Sequence, residues 1–316
     1  MILITGSSGY VGSDLIPRLK SIAQVCGIDI IPSDYTDILA GIETAELKMA
    51  LKDLGCHEIN IVNLAAARFD FGASAKEYFN LNVKCHELFL DFLVEYKVKN
   101  FIHVSSVASF DGKQIPYSDE LDCDDAYRST KYLQEVLITE WCQKNRVNLK
   151  ILYPSAIFSD DPRSDTNIGK LQSISQYIPF VPKIDVIKSV TYLPSFSQFI
   201  IDSVTDEFPS GKYLTIDKPS LTVSKMIQVI SGRSIKLVRI PFLSVILKII
   251  AYFLYVLGFF GKIDLKLTPN RVIKLFSDTS YSYVNYEDID SETYALRNCH
   301  QLPEILANFT GGEKDA

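Results

Sequence analysis

Three groups of residues in this chain have the types and spacing to do chemistry. The first is Tyr127-Arg128-Ser129-Thr130-Lys131, the only Tyr-x-x-x-Lys in a chain with 17 tyrosines. On a helix, positions i and i+4 share a face, so the phenol and the ammonium can point into one cleft. A nearby ammonium favours phenolate and draws tyrosine down from its ordinary value of about 10, which makes a proton shuttle for an alcohol/ketone pair. Surface helices show the same spacing by chance. This pair gains weight because a glycine-rich N-terminus and a serine-bearing strand precede it.

The glycine-rich start is Thr5-Gly6-Ser7-Ser8-Gly9-Tyr10-Val11-Gly12, between an apolar β-branched run and a helical pattern. Gly6 permits a tight turn, Gly9 lets the backbone approach a pyrophosphate, and Gly12 lets the helix pack closely on the strand. The helix N-terminus adds amide donors and positive dipole. Ser8, Tyr10 and Val11 inside the turn are candidate contacts to the same ligand. Asp29 follows at the end of the second strand, where a carboxylate accepts from adenosine ribose hydroxyls and repels a 2′-phosphate. No arginine follows to neutralise that phosphate, so NAD is expected over NADP, with Ile30 beside it. The third group is the strand Phe101–Phe110, with Ser105, Ser106 and Ser109 at its carboxyl end. Ligands bind there in open α/β sheets, and Ser106 can hydrogen-bond a reacting oxygen. Simple strand-end capping is the competing reading for Ser105 and Ser109.

The elements that must position these groups alternate through the first half. Apolar runs at Ile2–Ile4, Val25–Ile28, Ile59–Leu64, Phe101–Val104 and Leu149–Tyr153 read as strands. Helical patterns at Val11–Ser21, Glu46–Leu54, Tyr78–Tyr96 and Asp124–Asn145 lie between them. Strands separated by helices mean βαβ units and a parallel sheet covered on both faces. The expectation is an α/β, Rossmann-type doubly wound parallel sheet with a smaller, partly interleaved C-terminal substrate domain. The boundaries are 1–158 for the NAD-binding domain, with 188–207 returning to it, and 159–187 with 208–316 for the smaller one. Val190–Leu193 with Gln198–Val204 forms a further strand–helix unit, Lys212–Ile216 is strand-like, and Thr222–Ser231 is a helix.

Composition narrows the class. The chain has 316 residues, 47% hydrophobic and 22% charged, which is ordinary globular usage and excludes a disordered or collagen-like chain. A net charge of −6 argues against nucleic acid as a partner. Six scattered cysteines without C-x-x-C fit a reducing cytoplasm and signal neither zinc nor a redox pair. Four dispersed histidines leave no metal site, and the apolar N-terminus reads as a strand, not a signal peptide.

With these motifs in place, the chain resembles the short-chain dehydrogenase/reductase superfamily, in its extended, nucleotide-sugar-modifying branch. The likeness carries motifs through about residue 160 and is loose beyond. Thr5–Gly12 matches that branch's glycine motif. Val62-Asn63-Leu64-Ala65-Ala66 is similar to its H-x-A-A element, with Asn63 where histidine is usual. Asn82-Val83 is similar to the Asn-Val opening its next helix, with Cys85-His86 where Gly-Thr is usual. Val104-Ser105-Ser106 matches its serine strand. Tyr153-Pro154-Ser155 is similar to its L-R-P element, followed by Ile157-Phe158-Ser159-Asp160 where V-Y-G-P is usual. The resemblance implies that Ser106, Tyr127 and Lys131 are catalytic and that Lys131 also binds the nicotinamide ribose. It implies that Leu64, Ala65, Ala66, Asn82, Ser105, Tyr153, Pro154 and Ser155 join the glycine loop around NAD.

The departures narrow the reaction. The family's dehydratases carry an acidic pair just after the catalytic serine or threonine, and Val107 and Ala108 stand there instead. What remains is redox at a ring carbon: 4-epimerisation through a transient keto sugar, or 4-keto reduction. Hydroxysteroid-type dehydrogenases share the motifs, and a non-catalytic NAD-sensing protein would keep the fold without needing all three catalytic residues. Arg163, Arg233, Arg239 and Arg271 are candidates for a substrate diphosphate, each against the reading of a solvated surface side chain. A homodimer is expected. Residues 242–260 are apolar and about long enough to cross a bilayer. A buried helix pair, peripheral membrane contact and a span are the three readings, and Lys248 inside the segment counts against the span.

Overall fold

The computed structural model describes residues 1–67, 73–159, 163, 169, 172–173, 175, 177, 179–205, 209–231, 236–250, 252, 273, 276–279 and 281. Contacts divide them into two units. The larger contains 1–157 and 191–216, and the smaller 158–190 and 217–281.

The larger unit is a seven-stranded sheet. Its strands are β1 (Ile2–Thr5), β2 (Val25–Asp29), β3 (Ile38–Leu39), β4 (Glu58–Asn63), β5 (Lys97–Val104), β6 (Asn148–Pro154) and, after three strands described below, β10 (Gly211–Thr215). The order is β10-β6-β5-β4-β1-β2-β3, and every neighbouring pair is parallel. The order reverses at β1, between β2 and β4, which is where such sheets bind ligands at their carboxyl ends.

Two apolar layers cover it, and alternation along each strand sorts the side chains. Ile2, Ile4, Val62 and Ile102 face helix α1 (Tyr10–Lys20) and helix α7 (Leu193–Val204), packing on Leu15, Ile16, Phe196 and Ile200. Leu3, Ile61 and Phe101 face the opposite way, onto Leu47 and Leu51 of α2 (Ala45–Asp53), Phe89 and Leu93 of α4 (Cys85–Leu93), and Ile138 of α6 (Cys123–Asn145). Near-continuous apolar strands are what burial on both faces requires. Between these, α3 (Ala75–Phe79) runs through a π-helical turn, Asn80–Lys84, into α4. The helix expected over Tyr78–Tyr96 therefore carries one widened turn, and Asn82 sits inside it. Such insertions mark functional positions often. The short α5 (Ala108–Gly112) follows β5.

Helix α6 positions the Tyr-x-x-x-Lys pair. Asp122 caps it by accepting from the Asp125 amide at 2.9 Å, and Asp124 and Asp125 complement the dipole of its first turn. Arg146 ends it in the left-handed region at φ 55°.

One expectation is corrected here. Residues 212–216, expected in the smaller domain, belong to the large sheet: β10 pairs in parallel with β6, Lys212 opposite Ile151 and Leu214 opposite Tyr153. Tyr213 and Leu214 are fully buried, and that edge position is what buries them. Strand β7 (Ala156–Phe158) continues from β6. In the smaller unit β8 (Phe180–Pro182) pairs in parallel with β12 (Lys236–Val238), and β9 (Ile187–Tyr192) runs antiparallel to β11 (Asp217–Thr222). Helix α8 (Val223–Ser231) and a helix over 243–250, α9, complete it. Cys26, Cys56, Cys85, Cys123 and Cys142 are free thiols.

Candidate active site

The loop from β1 to α1 is shaped by what its glycines lack. Gly6 lies at φ +74°, and a Cβ there would stand 2.9 Å from the Ala65 amide nitrogen and the Leu64 carbonyl carbon. A Cβ on Gly12 would fall 2.5 Å from the Ser7 carbonyl oxygen. Gly9 is the N-cap of α1 and supplies no side-chain cap. Ser8, Tyr10 and Val11 are half-buried along the same turn. This is a cradle that side chains would fill, with a helix N-terminus at its base, and it suits a pyrophosphate. Asp29 closes it: its carboxylate accepts from the Ser8 amide at 2.9 Å and from the Ile31 amide at 3.0 Å. The carboxylate is thus fixed beside the loop at the end of β2, while Ile30 is 69% exposed.

Leu64, Ala65 and Ala66 follow β4 and are half-buried. The buried Asn82 ties them down. Its Oδ1 accepts from the Ala67 amide at 2.8 Å, and its Nδ2 donates to Thr130 Oγ1 on α6 at 3.1 Å. One side chain in the π-helical turn therefore joins the β4 end to the helix bearing Tyr127 and Lys131.

Lys131 is buried, and its Nζ donates to the Val104 carbonyl at 3.2 Å and to Gln134 Oε1 at 2.7 Å. Burial pushes its ammonium down to about 7, with the Glu135 carboxylate acting in the opposite direction. Tyr127, half-buried one turn earlier, packs edge-on against Tyr78 with ring centroids 6.0 Å apart. Ser106 is half-buried two residues past β5, and its Oγ accepts from the Ala108 amide at 3.2 Å. Gly112 sets the approach of α5 to α6, since a Cβ there would lie 2.0 Å from the Arg128 carbonyl oxygen.

Two family-typical positions that this chain replaces, Asn63 and His86, lie side by side in one buried cluster. Gln134 Nε2 donates to His86 Nε2 at 2.8 Å, and His86 Nδ1 lies 3.2 Å from the Leu81 carbonyl, so the ring carries its proton on Nδ1 and donates it there. Asn63 Oδ1 accepts from Thr5 Oγ1 at 2.6 Å, and Asn63 Nδ2 donates to His103 Nδ1 at 3.2 Å. Asn63 and His86 are fully buried, 3.3 Å apart at Oδ1 and Nε2. Burial, with the Lys131 charge second, pushes His86 down to about 3 and His103 well below the ordinary imidazole value. The histidines are neutral, and from Lys131 through Gln134 to His86 every donor points away from the ammonium. Such chains polarise cooperatively in a low dielectric.

Glu135 forms a second buried cluster. It accepts from Tyr153 Oη at 2.5 Å and from Ser105 and Ser109 Oγ at 3.4 Å each, and it pairs with Lys212 of β10 at 3.1 Å. The Ser105 hydroxyl and the Tyr153 phenol are thus committed inward. Pro154 is buried, and Ser155 donates its amide to Thr191 Oγ1 at 3.0 Å. The sequence reading did not single out Gln134, His86 or Glu135. Positions i+3 and i+4 from Lys131 were the available signal for the first and last; nothing local points to His86. Arg163 and Arg239 are exposed, and Arg233 and Arg271 lie outside the described residues.

A parallel sheet in this order, with a glycine cradle at its reversal point and a Ser, Tyr, Lys set after β5, defines a dinucleotide-dependent enzyme of the short-chain dehydrogenase/reductase type. The family model for the NAD dependent epimerase/dehydratase family matches residues 2–176, more than half of the chain, and the protein belongs to that family. Its cofactor is NAD, and the shape of the glycine loop, with a carboxylate fixed at its rim, fits a pyrophosphate and an adjoining ribose. Solved structures with the same fold include the UDP-glucuronic acid 4-epimerase from Bacillus cereus in complex with NAD, at 17% identity and TM-score 0.59 over 76% of this chain and 85% of that one. The UDP-N-acetylglucosamine 4-epimerase from Methanobrevibacter ruminantium M1 aligns at 19% identity and TM-score 0.60, over 76% of this chain and 86% of its own. The UDP-N-acetylglucosamine 4-epimerase from Bacillus cereus aligns at 16% and 0.61, over 75% and 84%. No curated protein matches the chain by sequence.

Proposed function

We propose that the protein epimerises a nucleotide-activated sugar at C4 through a transient keto sugar. The observation that carries this reading is the bond from Lys131 to the Val104 carbonyl. It joins the Tyr127–Lys131 turn of α6 to the strand end bearing Ser106. NAD, when bound, supplies hydride acceptance and return at the sugar carbon. Tyr127 takes the hydroxyl proton, and Lys131, as ammonium, favours the phenolate that can do so. Ser106 Oγ accepts from Ala108 and retains its own proton to donate to the reacting oxygen. Tyr127 then returns the proton after the keto sugar has turned its other face. Loss of water needs an acid and a base just past the serine; Val107 and Ala108 carry neither. The three solved structures above, all 4-epimerases of UDP-sugars by name, support the substrate class.

The test is incubation of purified protein with UDP-glucose, UDP-N-acetylglucosamine and UDP-glucuronic acid without added cofactor, with products read by NMR. Conversion to the 4-epimer is expected. Stoichiometric NADH consumption with a keto sugar, and no epimerisation, would make the protein a reductase. A 4-keto-6-deoxy product would overturn the exclusion of dehydration.

A further inference from the structure

The smaller unit presents an apolar surface that this chemistry does not use. Leu243 of α9 packs with Val181, Ile184, Val223 and Ile227, so one face of that helix is taken up by the core. The other face is bare. Phe242 is 79% exposed, Val245 50%, Ile246 45% and Ile249 64%, and Tyr252 beyond them is 65% exposed. Val245, Ile246 and Ile249 share one face of the helix at i, i+1 and i+4, and Phe242 stands exposed in the turn just before it, at φ 56°. Isolated apolar side chains on a surface are ordinary, but a contiguous stripe marks an interaction site.

Along the chain, the charge flanking the stripe has one sign. Residues 218–263 hold seven Lys or Arg and no Asp or Glu, in a chain whose net charge is −6. Among the described residues Lys236, Arg239 and Lys248 are exposed and have no acidic partner. Lys248 stands at the edge of the stripe, one position from Ile249.

We propose that α9 lies flat on an anionic lipid bilayer, its stripe in the headgroup–acyl boundary and Lys236, Arg239 and Lys248 against the phosphates. An apolar helix face edged by cations is the pattern of an interfacial helix. Among the described residues no helix is long and apolar enough to cross a membrane, and Lys248, inside the apolar run, is costly at membrane depth but well placed at the headgroup level of a helix lying in the plane. A second copy is the poorer occupant: in a two-fold contact this face would meet itself, setting cations against cations with no acid between residues 218 and 263 to offset them.

The experiment sediments the purified full chain with vesicles of phosphatidylcholine alone, or with about a third phosphatidylglycerol. Binding to the anionic vesicles is expected to be about tenfold or more tighter than to the neutral ones, and to weaken with salt. Ile246→Gln with Ile249→Gln, and separately Lys236→Gln with Arg239→Gln and Lys248→Gln, should each weaken it by about tenfold or more. Circular-dichroism melting and NAD binding should stay as in the parent chain. Absence of vesicle binding overturns the proposal, as does binding that survives both sets of substitutions. A dimer dissolved by Ile249→Gln, without vesicle binding, would overturn it in favour of a second copy.

Discussion

The glycine loop after β1 and the polar cluster beneath α6 lie at the same end of the sheet and are built on opposite principles. The loop works through atoms that are missing. Gly6 and Gly12 leave room that backbone carbonyls and amides already border at under 3 Å. The cluster works through atoms that must be paired. Lys131, Gln134 and His86 are all buried, and each polar group needs the orientation of the next. A loop of the first kind fails by addition. A cluster of the second kind fails by subtraction, because a buried group left without its partner costs about 1–3 kcal/mol.

The largest expected effect falls on Tyr127, the proposed proton carrier. Tyr127→Phe should lower kcat by about 10²–10⁴ while calorimetry finds NAD binding near normal. Full activity in that variant would remove Tyr127 from the mechanism. Addition to the loop comes next. Gly12→Ala sets a methyl 2.5 Å from the Ser7 carbonyl oxygen, so NAD affinity should fall about tenfold or more, with about 1–3 kcal/mol of stability lost. An alanine variant that binds NAD normally would show that the approach is not tight.

Subtraction from the cluster is tested by Gln134→Leu, which leaves Lys131 and His86 without their shared partner. About 1–3 kcal/mol of stability should be lost. Gln134→Glu should recover much of it, since a carboxylate accepts from Lys131 and His86 can present its other nitrogen as donor. Equal losses in both variants would mean that packing, not pairing, matters there.

The same cluster predicts a pH dependence. His86, held down to about 3 in the folded state, takes up its proton on unfolding, so stability should rise with pH from about 3 to the unfolded value near 6.5. Lys131, held down to about 7, makes stability rise again between that value and about 10.5. His86→Gln should flatten the first rise and Lys131→Met the second in chemical denaturation curves. A wild-type curve flat in both windows would contradict the buried, neutral cluster. The smallest effect is on cofactor choice. Asp29→Asn keeps an acceptor for the Ser8 amide but loses the charge that repels a 2′-phosphate. NADP should gain on NAD by about tenfold, within the range of one charge-assisted hydrogen bond, and tighter NADP than NAD binding in the parent chain would refute the role.

The two regions also differ in how far the sequence disclosed them. The loop was legible because its function is local: three glycines at fixed spacing dictate a turn, and the apolar run before them dictates the strand. Tyr127 and Lys131 were legible for the same reason, since one helical turn fixes their relation. His86 and Gln134 are 48 residues apart, and Asn63 meets His103 from a neighbouring strand 40 residues on. No local pattern encodes those meetings. Asn63 and His86 each looked like a lone departure from the family's motif until the sheet and α4 brought them together.

By itself, then, the chain determined the βαβ rhythm, the glycine turn after the first strand and the placing of Tyr127 and Lys131 one helical turn apart, because period, glycine placement and helical spacing act over a few residues. Tertiary structure decided the rest. Burial on both faces of the sheet drew Gly211–Thr215 onto β6 as its edge strand, and with it Lys212 onto Glu135. Desolvation under α6 set the protonation of Lys131 and His86, which depends on how much water the fold excludes and on which neighbours it supplies. In the smaller unit the same apolar alphabet that fills a core was left outside along 242–249, because Leu243 had already turned the helix's other face inward.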